Sequence, residues 1–289
     1  MGHDPRTEAF ERLGGAYDVR VLEPSPPAVA EPPWFADDPA ARGEVAEGRA
    51  LVSPVTSGDR TWDSLCDDDP GLASWCADRW LGAWRRLAPL PPGFDGCREA
   101  LHAVAERTVS PAREAANGKI GLRYTRGGFG TPFFGAGEQV RVEGADLVRV
   151  AGGMEASRDP IPTVEATSAA ALADWYGFMT SVLEELRASA APSLEPTRVQ
   201  LWPEHFDLAA DLGDEAAGAR ATYGGSPGDD DHHEPYLYVL PLGAAPTGEL
   251  WEASGFPGAE LDYADLVAAR DQRAAALAFY QARLEALAS

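Results

Sequence analysis

The stretch EQVRVEGADLVRVAG, residues 138–152, alternates apolar and polar side chains on either side of the four residues EGAD. A period of two belongs to an extended strand with one buried face, and EGAD carries the small and acidic residues that reverse a chain, so the stretch reads as a β-hairpin. Just upstream, GKIGLRYT (118–125) alternates in the same way. Residues 118–163 are therefore expected to form antiparallel sheet.

Downstream, the period changes. From about Ser168, read as the N-cap, Leu172, Trp175, Tyr176, Met179, Leu183 and Leu186 recur at helical spacing and predict a helix that packs on the sheet. Three further strands are expected in RVQLWPEHFDLAADL (198–212), AGARATYGG (217–225) and EPYLYVLPL (234–242). A last helix aligns Leu277, Tyr280, Leu284 and Leu287. Runs of strands separated by one helix and closed by another define an α+β protein with mostly antiparallel sheet. The order of strands followed by helix occurs twice, without a repeat of solenoid period.

Upstream of the sheet, CREALHAVAERTVSPAREAA (97–116) reads as helix interrupted at Pro111, with His102 a hydrogen-bonded structural residue. Before it, Trp75, Trp80 and Trp84 recur at near-helical spacing between Pro70 and Pro89. The repeated prolines of LEPSPPAVAEPPWFADDPAARGE (22–44) deny both helix and ladder hydrogen bonds. The expected organisation is a Pro-rich arm over 1–45, a Trp-rich helical segment over 46–96 and an α+β domain over 97–289.

Composition limits the partners. The chain of 289 residues carries 46 Asp and Glu against 24 Lys and Arg, a formal charge of −22. Such a surface repels phosphate backbones and anionic lipid, which argues against nucleic acid and membranes as partners. No apolar run approaches the length of a bilayer span, and the start MGHDPRTEAFERLGG lacks the order of a secretion signal, so a cytoplasmic location is expected. Cys66, Cys76 and Cys97 lack paired metal spacing and read as reduced thiols. The scarcity of Lys, Asn and Ile beside abundant Ala, Gly, Pro and Arg points to a bacterial genome of high GC content.

Three stretches carry possible chemistry. The glycine-rich RYTRGGFGTPFFGAG (123–137) is followed by a strand rather than a helix, so it lacks the amide cradle of a phosphate loop. Its Phe129, Phe133 and Phe134 are expected to wall a cavity or core. Lys119 is the only lysine in the chain. On a strand starting after Gly118 it shares a face with Arg123, which predicts an anion pocket, or a lysine suited to general-base or Schiff-base work. An exposed lysine paired with Glu143 is the plainer alternative. In LWPEHFDLAADL (201–212), His205 and Asp207 stand two apart and emerge on one face of a strand. Together they can serve as base and orienter, or with His233 of the acid-rich loop SPGDDDHHEPYLYV (226–239) as ligands for a divalent metal. A buried His205 to Asp207 hydrogen bond with a solvated loop is the structural alternative.

The succession LH, NGKIGL, GGFGTPFF, VRVEG, HFDLA, SPGD with EPYLYVLP, and GAELDYADLVAARDQRAAALAFYQARLEALA resembles a bacterial family known as domain of unknown function five-nine-nine-six. The likeness covers about residues 97–289, with LDY standing where that family has LPY. It implies no activity, but it singles out Lys119, Asp207, Ser226 to Asp229 and Glu234 to Tyr238; His205 fits its pattern less securely.

These readings converge on a cytoplasmic protein that binds a small anionic ligand in a cleft bordered by Lys119, Arg123, Phe129, Phe133 and the HFDLA strand. Two alternatives stand beside it: a hydrolase or lyase using Lys119, His205 and Asp207, with or without metal, and a non-catalytic protein whose arm and tryptophan helix engage a partner.

Overall fold

A computed structural model of the chain describes residues 85–288, apart from 126, 133, 135–137, 153, 198 and 245. The Pro-rich arm, Trp75, Trp80, Trp84 and Phe133 lie outside the described residues. Those that are described form an α+β fold with two antiparallel sheets of five strands each.

The first helix, α1 (Phe94–Val104), continues through one π turn (Ala105–Val109) into α2 (Ser110–Asn117). The expected break at Pro111 is thus a widened turn instead: proline has no N–H to give to the turn before it, and the helix swells ahead of the ring rather than ending. Gly118 ends α2. Its left-handed backbone (φ 74°) lets its N–H return to the Glu114 carbonyl at 2.8 Å, a helix cap that a side chain would strain. For this reason the strand expected from residue 118 starts later, as β1 (Arg123–Thr125), and Lys119 lies in the link between helix and sheet.

The first sheet is a plain meander, β1, β2 (Gly128–Gly130), β3 (Gln139–Glu143), β4 (Asp146–Ala151) and β5 (Met154–Pro160), with neighbours in sequence also neighbours in space. The β3–β4 hairpin pairs Glu143 with Asp146 across the turn foreseen at EGAD. Helix α3 (Ala166–Ser189) follows, starting two residues before the proposed cap. Ser168 lies buried in its first turn, and Ala169 N–H bonds the Glu165 carbonyl at 2.9 Å.

The second sheet repeats the meander with β6 (Gln200–Trp202), β7 (Asp207–Leu212), β8 (Ala221–Ser226), β9 (Tyr236–Pro241) and β10 (Ala259–Asp262). It is followed by α4 (Tyr263–Ala268) and α5 (Gln272–Leu287), whose start is capped by Asp271 accepting from Ala274 N–H. A bridge between Leu122 and Leu201 joins the two sheets. Helix α3 lies against β1 and β2 of one sheet, β7 and β8 of the other, and α1 and α5. It is consequently buried nearly all round, with Phe178 and Val182 joining the expected stripe in the core. No helix among the described residues is long and apolar enough to cross a membrane.

Phe129 is fully buried at 0% exposure, its ring edge-on to Tyr176 (6.2 Å between centroids) and Phe206 (5.1 Å). It is a core residue rather than the wall of an open cavity. Truncation to alanine there should lower stability by about 3–5 kcal/mol. Urea unfolding checks this, since a cavity-wall phenylalanine would shift the midpoint far less.

Candidate functional site

Strand alternation sorts the second sheet into two faces. Leu208, Ala210 and Leu212 of β7, Tyr223 of β8 and Leu237 and Val239 of β9 face the helices and are buried. The opposite face carries polar residues in register: Ser226 stands opposite Tyr236, and Gly224 opposite Tyr238. That face forms a wall of a cleft of about 530 Å3, which Arg98, Glu99 and His102 of α1 also line.

The cleft is organised by two pairs of tyrosine and carboxylate. Tyr238 on β9 donates its hydroxyl to Asp207 Oδ2, two strands away on β7. Gly224 makes that reach possible: a Cβ at this position of the intervening strand would overlap the Tyr238 ring. Tyr236 donates to Asp229 Oδ2 at 2.7 Å, and the amides of His232 and Asp231 bond Asp229 Oδ1 at 2.8 and 2.9 Å. Arg98, itself buried, anchors the loop by donating to the Asp229 carbonyl at 3.0 Å.

Asp207 is only 6% exposed, and its Oδ1 has no hydrogen-bond partner among the described residues. Burial pushes its carboxyl above the usual carboxylate range, opposed less strongly by the Tyr238 hydroxyl and the charge of His205. Asp229 goes the other way. Burial raises it, but the bonds from Tyr236 and the two amides outweigh that effect and hold it below the ordinary value. Tyr238 is pushed well above its ordinary value by burial, and the neighbouring Asp207 charge adds to this.

His205 and Asp207 do not share a strand face. Residues 203–206 form a turn, and Phe206 is held left-handed at φ 57°, so the extended geometry needed for a pair two apart is absent. The Phe206 ring is the reason. It turns inward to lie parallel to His102 (5.0 Å, 6°) and edge-on to Phe129 and Tyr176, and Tyr176 donates to its carbonyl at 2.7 Å. The rotation sends Asp207 inward and leaves His205 exposed at the cleft rim. Asp207 is paired with Tyr238 instead of His205.

Of the other sequence candidates, Lys119 and Arg123 are partly exposed, and neither they nor Phe129 line this cleft. His233 is exposed and does not line it either. No three His, Cys, Asp or Glu side chains among the described residues group closely enough to hold a metal. His102 keeps the structural bond expected of it, Nε2 donating to the Pro203 carbonyl at 2.8 Å, yet it also lines the cleft. Sequence reasoning missed Arg98 as a site residue, and it singled out Tyr236 and Tyr238 only through the family resemblance, although the alternation of EPYLYV already placed both tyrosines on one face.

Compared with family models, curated proteins and solved structures, the chain matches none.

The opposite shifts of the two aspartates have opposite consequences for stability. Asp207, raised in the folded chain, gives its full contribution below the ordinary carboxylate range and loses it as pH climbs through its elevated folded value. Asp229, lowered, contributes above the ordinary range and loses that contribution as pH falls through its depressed value. Melting temperatures across a pH series should therefore show D207N gaining on the wild type as pH rises. D229N should show its largest deficit near neutrality and close the gap in acid.

Proposed function

We propose that the chain binds a small polar molecule in the cleft between α1 and the second sheet, with Asp207 and Tyr238 as its contact groups. The observation that carries this is Asp207: an almost fully buried carboxyl, one oxygen unpartnered, on the wall of a cleft with room for a ligand. The strained Phe206 backbone supports it, since left-handed non-glycine residues persist only where surrounding structure over-determines them, and such positions cluster at functional sites.

The proposal moves the ligand site away from Lys119 and Arg123, on which the expectation of an anion rested. We also propose kinship with the family of unknown function that the sequence resembles. In support, FDLA supplies Asp207, SPGD supplies Ser226, Gly228 and Asp229, and EPYLYV supplies Tyr236 and Tyr238, and all of these line the cleft. Lys119 of the GK pair stands apart from it.

Acid and base chemistry on the bound molecule is a second reading, favoured by Asp207 itself. A carboxyl raised by burial holds its proton to higher pH than an ordinary carboxyl, as a general acid requires, and the Tyr238 hydroxyl is its hydrogen-bond partner. His205, exposed at the rim, has no hydrogen bond to Asp207 by which to be oriented.

A thermal-shift screen of small amines, sugars, amino acids and carboxylates tests the binding site. A compound that stabilises the wild type is expected to lose at least about half of its shift in Y238F and to keep it in K119A. Stabilisation that survives in both Y238F and D207N but disappears in K119A sinks the proposal.

A further inference from the structure

Resting on that cleft being a ligand site, we propose that its occupant is a small organic cation, bearing an ammonium or guanidinium group, received by aromatic faces and carboxylates. Among the described residues, the lining contains six acids, Glu99, Glu204, Asp207, Asp229, Asp230 and Asp231, against one arginine and the two histidines His102 and His205. That arginine is already engaged: Arg98 Nη1 donates to the Asp229 carbonyl and Nη2 faces Glu99 at 3.8 Å. An entering anion would meet no uncommitted guanidinium or ammonium among the described lining residues, and a field of the wrong sign.

The acids alone would not make a site, but two further features point the same way. The first is the unpartnered oxygen of the buried Asp207. A carboxyl closed off without its second hydrogen bond is a site prepared for a donor, and ammonium and guanidinium N–H groups are strong charged donors. The second is the aromatic wall. Tyr236 and Tyr238 stand with ring centroids 6.2 Å apart, tilted by 50°, and Phe256 meets Tyr238 at 6.3 Å and 83°. Non-parallel rings at this separation present faces and edges around a shared space, the arrangement that attracts a cation through the ring quadrupole. Both phenols donate to carboxylates, which polarises the rings toward more negative faces.

A bare divalent metal fits less well. It needs several oxygens or nitrogens drawn onto it at about 2.0–2.6 Å. No three acidic or histidine side chains among the described residues converge in that way, and Asp207 and Asp229 are each turned toward a phenol. An organic cation has weaker demands. It accepts carboxylates at longer range and uses apolar contact with the rings, including Phe256 and Leu240 at the margin of the lining.

The test uses the full chain and four probes of similar size: tetramethylammonium, guanidinium, neopentyl alcohol as a neutral shape match, and acetate. Amide shifts of Ser226, Gly228 and Asp229 in two-dimensional NMR report occupancy. The two cations are expected to shift them saturably with dissociation constants in the millimolar range, while neopentyl alcohol and acetate leave them in place. D207N should weaken cation binding by about tenfold. The exposed pair D230N/D231N should weaken it by about threefold, a test that stands even if D207N does not fold. If acetate shifts these amides and the cations do not, or if neopentyl alcohol matches tetramethylammonium, the charge class is overturned while the cleft remains a ligand site. Cation shifts undiminished in both variants also overturn it, because they report general screening of an acidic surface. If none of the four probes moves these amides, the cation proposal and the binding cleft on which it rests fall together.

Discussion

The bond from the Tyr176 hydroxyl to the Phe206 carbonyl fixes the backbone position on which the site depends. A non-glycine residue in the left-handed region costs about 1–2 kcal/mol. A hydrogen bond to a buried carbonyl contributes about 0.5–1.5 kcal/mol net, enough to offset most of that. Three ring partners, His102, Phe129 and Tyr176, each add about 0.5–1.5 kcal/mol beyond burial, so the strained conformation wins. Those partners come from α1, β2 and α3. Two helices and the first sheet thus contribute to one turn, and that turn sends Asp207 inward.

The second sheet then gives Asp207 its partner. Register alone does not bring Tyr238 to it, because β8 stands between their strands. Only the missing side chain at Gly224 lets the phenol lie across the middle strand. The result is a buried carboxyl bonded by one phenol, beside a second pair in which amides and a phenol keep Asp229 ionised. Two aspartates of one cleft are thereby driven toward different protonation states, one held by burial and the other by hydrogen bonds.

Where local pattern dominated, the sequence was legible. The hairpin at residues 138–152, the long central helix and the antiparallel α+β class all follow from periodicity, because a half-buried strand or helix needs that period to hide its apolar face. Boundaries slipped where one residue changed the backbone. Gly118 ended a helix instead of opening a strand, and Phe206 split the single strand expected over 198–212 into β6 and β7. The short β10 in AELD gave too few alternations to be seen. His205 and Asp207 both line the cleft but are not paired, because a shared strand face requires an extended chain through residue 206, and Phe206 is left-handed.

The amino-acid sequence by itself determined the class of elements, the acid-rich surface and the two-faced character of DLAADL and EPYLYV, since each of these is set by side chains and their immediate neighbours. The tertiary structure alone decided which of those residues meet. Tyr238 reaches Asp207 across Gly224, Arg98 clasps the loop that carries Asp229, and Lys119 and Arg123 are left outside the cleft. The reason is that convergence depends on strand register and on one left-handed residue held by packing from distant elements, and neither is encoded in any local stretch of the chain.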